Sequence, residues 1–97
     1  MSFKIEEVGG IGEYVRKDDV FFVPEGKAFL VVHKNTIEVR TDANLQKLLM
    51  GKYESVMRSR YFGKNGIEVV LVGQLDLGEI YDLVRLSYNL TKDLGTK

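Results

Sequence analysis

Short apolar runs alternate with glycine-marked breaks along the chain, and the period of each run predicts its secondary structure. Residues 3–8 place Phe3, Ile5 and Val8 around two glutamates, which predicts a short edge strand or an extended arm. Gly9, Gly10 and Gly12 then interrupt it and read as a turn. Residues 13–23 read as one strand, bent near Lys17-Asp18-Asp19. Pro24-Glu25-Gly26 is a turn, because Pro24 presets φ and Gly26 accepts a positive φ. Residues 28–33 predict the next strand, Lys34-Asn35 suits a two-residue hairpin, and residues 36–40 return with Ile37 and Val39 on one face.

Thr41 or Asp42 is placed to cap a short helix with Leu45, Leu48 and Leu49 at i, i+3, i+4, and Gly51 stands where that helix should stop. Residues 53–62 alternate as a strand, with Glu54, Val56, Arg58, Arg60 and Phe62 on one face. Gly63-Lys64-Asn65-Gly66 holds an Asn-Gly hairpin signal, and residues 67–72 return. Asp76 with Glu79 three residues on forms a capping box, with Asp in place of Ser or Thr. Ile80, Leu83, Val84, Ser87, Leu90 and Leu94 then follow helical spacing, widened by Leu77, Tyr81 and Tyr88, up to Gly95. The expected fold is one α+β domain over residues 1–97. It has a curved antiparallel sheet, a short middle helix and a long C-terminal helix on one face.

Three runs, at 20–23, 28–32 and 69–72, are continuously apolar. Strands buried on both faces read that way, whereas half-buried strands alternate. Two helices cover one face. The other is therefore expected to curl over, to lie under the N-terminal segment, or to be buried against a second copy in a homodimer.

Composition narrows the function classes. The absence of cysteine removes disulfides, thiolate metal sites and cysteine nucleophiles, and fits a reducing, cytoplasmic setting. No secretory h-region opens the chain, and no apolar run approaches the roughly 18 residues of a membrane span, so no membrane role is expected. Fourteen basic residues balance fourteen acidic ones, so any contact with nucleic acid must rest on a local patch.

The candidate chemistry is sparse. His33, the only histidine, ends an apolar strand beside a hairpin and reads as a solvent-facing or hydrogen-bonded side chain, with no metal set or nucleophile legible around it. Asp76, Glu79 and Asp82 suit a helix N-terminus, and Asp82 can pair with Arg85. Glu68 reads as the cross-strand partner of a base. No serine sits in a nucleophile elbow and no glycine fingerprint for a dinucleotide is present, so neither an enzyme nor a cofactor is expected. The basic residues say more. Arg58 and Arg60 share a strand face, Lys64 follows, and Tyr61 and Phe62 lie between, a combination suited to phosphate contact and base stacking. A solvated face with both arginines paired to carboxylates accounts for the same residues.

Tyr61-Phe62-Gly63-Lys64-Asn65-Gly66-Ile67-Glu68-Val69-Val70-Leu71, with Leu75-Asp76 and Ser87-Tyr88-Asn89-Leu90, resembles the C-terminal half of MmcQ/YjbR-like proteins. Gly9-Gly10-Ile11-Gly12-Glu13-Tyr14-Val15 looks more like the opening of the related TfoX N-terminal domain. The resemblance implies a frataxin-like outline and a DNA-associated role in which the Lys34-Asn35 and Lys64-Asn65 hairpins act as wings. The chain departs from the family pattern in lacking its His-Trp pair and its longer N-terminal helix. The expected function is a non-enzymatic domain contacting DNA or another nucleic acid through Arg58, Arg60, Lys64, Lys34 and Arg40. The alternative is a protein-interaction or homodimerisation module.

Overall fold

The computed structural model describes residues 3–95. Six strands form one antiparallel sheet in the order β1-β2-β3-β4-β6-β5. They are β1 (Val15–Lys17), β2 (Val20–Phe22), β3 (Ala28–Val32), β4 (Thr36–Arg40), β5 (Val56–Ser59) and β6 (Gly63–Val70). Two helices, α1 (Ala43–Lys52) and α2 (Leu77–Gly95), lie against the sheet. α2 crosses β3 and β4, and α1 covers β5 and β6.

The core forms where the helices meet the alternating residues of the central strands. Ile37 and Val39 of β4 stand opposite Val69 and Ile67 of β6, and Val39 also stands opposite Leu30 of β3. All five are fully buried together with Ile80 and Val84 of α2. On α2 the buried positions are Ile80, Val84, Ser87, Tyr88 and Thr91, the spacing of one helical face, whereas Leu77, Leu86 and Leu94 stay exposed. Asp76 and Glu79 exchange backbone bonds, Glu79 N–H to Asp76 Oδ1 at 2.8 Å and Asp76 N–H to Glu79 Oε1 at 3.3 Å, which is the expected capping box.

Ser87 locks α2 to the sheet. Its hydroxyl accepts from the Arg40 backbone N–H at 2.8 Å and donates to the Phe29 carbonyl at 2.6 Å, so it stands between β3 and β4 where their ladder ends. Phe29 is the extra residue of a bulge, because Phe21 faces Leu30 while Phe22 faces Ala28. Its ring meets Tyr88 edge-on at 5.0 Å.

Several local expectations are overturned. Residues 3–8 contain a 3-10 turn, Ile5–Glu7, that buries Ile5 and packs beside α2 through Phe3 on Tyr81. The segment expected as one bent strand is a hairpin, β1 and β2, turned through Asp18 in the left-handed region at φ 57°. Asp42 caps α1 by accepting from Leu45 N–H at 2.7 Å, yet Leu48 is 65% exposed and Gln46 is the buried residue. The leucine stripe is rotated because Gln46 reaches the carbonyls of Gly63 and Gly66, at 2.8 and 2.7 Å. The helix also runs past Gly51 to Lys52. Finally, Gly63-Lys64-Asn65-Gly66 is strand and not turn. β5 ends at Ser59, residues 60–62 make the connection, and Asn65 pairs through its carbonyl with Thr41 N–H at 2.8 Å.

The sheet face turned away from the helices is partly closed by that connection. Gly66 lies on it, and a Cβ there would sit 2.5 Å from Phe62 Cβ, so Phe62 lies directly over this glycine. The N-terminal segment, one of the expected covers, instead joins the helix side: Tyr81 donates to Glu7 Oε2 at 3.0 Å and Arg85 to the Gly9 carbonyl at 3.1 Å. No helix among the described residues is long and apolar enough to cross a membrane.

Candidate functional site

Beneath residues 59–62 lies a buried polar network. Glu38 of β4 and Glu68 of β6 are direct register partners, and both are nearly inaccessible, at 2% and 6% exposure. Two like charges opposite each other in a ladder repel, so each carboxylate needs donors. His33 Nε2 donates to Glu38 Oε2 at 2.5 Å, and Ser59 Oγ and the Tyr61 backbone N–H donate to Glu38 Oε1 at 2.7 and 2.9 Å. Arg60 grips Glu68 with two bonds, Nε to Oε1 at 3.0 Å and Nη2 to Oε2 at 2.9 Å, and Thr36 Oγ1 adds a third at 2.6 Å. Burial pushes the Glu38 carboxyl up, but the bonds from His33, Tyr61 and Ser59 outweigh it and hold the group below its ordinary value.

The connection is shaped by the same bonds. Ser59 Oγ accepts from Phe62 N–H at 2.8 Å, which tightens the turn, and the Tyr61 and Phe62 rings meet edge-on at 4.9 Å. Phe62 points inward over Gly66, and Tyr61 points out and is 52% exposed.

The five expected contact residues separate into three groups. Arg58, Arg60 and Lys64 are exposed and flank the β5–β6 connection, Arg60 as the partner of Glu68. Arg40 is tied inward: its Nη2 donates to the Ala28 carbonyl at 2.9 Å and its guanidinium lies 4.8 Å from the centre of the Phe62 ring. Burial lowers its pKa. Lys34 lies in the β3–β4 hairpin, between His33 and Thr36, whose side chains bond the same two carboxylates as Tyr61 N–H and Arg60. Among the described residues, Arg58, Lys64 and Lys34 have no ion pair. Of the two wing hairpins that the resemblance implies, only that at Lys34-Asn35 is a turn.

Sequence reasoning anticipated the pairing of Glu68 with a base and missed Glu38, Ser59 and Ser87. Their signals were weak: a glutamate centred in an otherwise apolar strand for Glu38, and a serine on the apolar face of a helix for Ser87.

No family model, no curated protein and no solved structure matches this chain.

Proposed function

We propose that the domain is a nucleic-acid-binding module whose contact surface is the β5–β6 connection. The observation that carries this reading is the exposure of Tyr61 and of the cations Arg58, Arg60 and Lys64, all within residues 58–64 around that connection. An exposed ring beside guanidinium and ammonium groups suits an unpaired base stacked on Tyr61 with its phosphates on the cations. Arg40 drops out of the contact set as a clamp on the turn, held by the Ala28 carbonyl and the Phe62 ring. The resemblance to MmcQ/YjbR-like proteins points the same way. Anisotropy titration with a labelled single strand at low salt tests the proposal. Three phosphate contacts predict a log–log salt slope of about −2, and Tyr61→Ala should weaken binding by ~1–3 kcal/mol. Absence of binding to single strands and duplexes at low salt refutes it.

A second reading, a homodimer, is favoured by β5. This strand is an edge of the sheet, and its Met57 is 42% exposed. Unpaired edges accept a further strand. Light scattering that finds only monomer at high concentration would remove this reading.

A further inference from the structure

We propose that His33, Glu38 and Glu68 form a binding site for a divalent metal ion, with Zn²⁺ the ion that suits one imidazole nitrogen and two carboxylate oxygens. The donor atoms of the three residues all lie within 4.8 Å of one another. Zinc takes nitrogen and oxygen ligands at about 2.0–2.2 Å, which sets donors about 3.0–3.5 Å apart. The His33–Glu38 contact, 2.5 Å here, therefore opens by about 0.5–1 Å on binding, and Glu68 closes in, which are side-chain movements.

Three features distinguish this group from a chance gathering of acids. The ladder itself holds the carboxylates side by side, since Glu38 and Glu68 are cross-strand partners on adjacent central strands. A buried pair of like charges requires positive charge beside it. Arg60 supplies one such charge through its bonds to Glu68, and a divalent ion between the two carboxylates neutralises both. The surroundings also orient the ligands as metal sites do. Ser59 and the Tyr61 N–H fix Glu38 by Oε1, which turns Oε2 towards His33, and Thr36 holds Glu68 from the side. The site is reachable as well. The His33 side chain is about one-third exposed, and Arg60, which covers Glu68, is mostly in solvent.

Because His33 is the only histidine, its imidazole gives a single histidine signal in ¹H–¹⁵N spectra, and that signal reads the site directly. Titration with Zn²⁺ alone should shift the Nε2 resonance and saturate at one equivalent, while Mg²⁺, which prefers oxygen ligands and keeps its waters, should leave it in place. By calorimetry, His33→Ala should lose at least about tenfold in Zn²⁺ affinity with an unchanged circular dichroism spectrum. Arg60→Gln, which removes the competitor for Glu68, should bind Zn²⁺ more tightly. An imidazole signal unmoved by one equivalent of Zn²⁺ would overturn the proposal. So would a His33→Ala protein that binds as tightly as the parent, which would mark surface binding, and weaker binding by Arg60→Gln would remove Glu68 from the ligand set.

Discussion

Gly66 decides more than its size suggests. Its bare backbone lets Phe62 approach the sheet closely, and an added Cβ would meet Phe62 Cβ at 2.5 Å and the Val39 carbonyl at 2.8 Å. Gly66→Ala should cost about 1–3 kcal/mol in urea unfolding by overpacking, with the turn displaced. An unchanged midpoint would contradict the placement of Phe62. Glu38 carries the pH dependence of the same region. Its folded-state pKa is lowered, so its stabilisation is present above the ordinary value of 4.5 and is lost as pH falls through the lower folded value. Metal-free protein should lose stability over that acid range, and Glu38→Gln should flatten the loss. An equally steep profile in the variant would exclude Glu38 as the source. Sequence reading identified Glu68 as a partner for a base, because charged residues in strands pair across them. It passed over Glu38, whose donors come from positions 33, 59 and 61 and meet only in the folded sheet.

The elements were legible where one face is buried and the ends are capped. α2 is the clearest case: the Asp76 and Glu79 cap and the apolar spacing define it without tertiary information. Asp76→Ala should lower stability by about 0.5–2 kcal/mol. Ser87→Ala should cost about 1–3 kcal/mol, because it leaves the Arg40 N–H and the Phe29 carbonyl without their shared partner. Chemical denaturation checks both, and a neutral Ser87→Ala would mean that water replaces the hydroxyl. The β5–β6 connection was misplaced by about three residues. Asn65-Gly66 has the local chemistry of a turn, but pairing of β6 with β4 and the Ser59 bond to Phe62 N–H outweigh that preference. In α1, Leu48 was assigned to the core by spacing alone, and the two carbonyls that draw Gln46 inward come from another element.

At the scale of the molecule, neutral net charge makes any contact with a polyanion local. Lys64→Glu should therefore weaken the proposed nucleic-acid binding several-fold, whereas Lys4→Glu, in the N-terminal segment beside α2, should leave it nearly unchanged. Equal losses would indicate a diffuse charge effect and not a surface at the connection. Excess apolar surface in the strands predicted a cover for the second sheet face. Part of that cover is the chain's own residues 59–62, and part of the buried surface is polar.

Hydrophobic period, turn chemistry and caps, read along the chain, determined the α+β class, the succession of helices and most strands, and the orientation of α2. These are local properties, set by neighbours within about four residues. Only the tertiary structure decided which side of the sheet the β5–β6 connection covers, which arginines are tied down, and that His33, Glu38 and Glu68 meet. Those outcomes depend on strand order and register, which bring together residues as far apart as Glu38 and Glu68, and no local pattern encodes such a meeting.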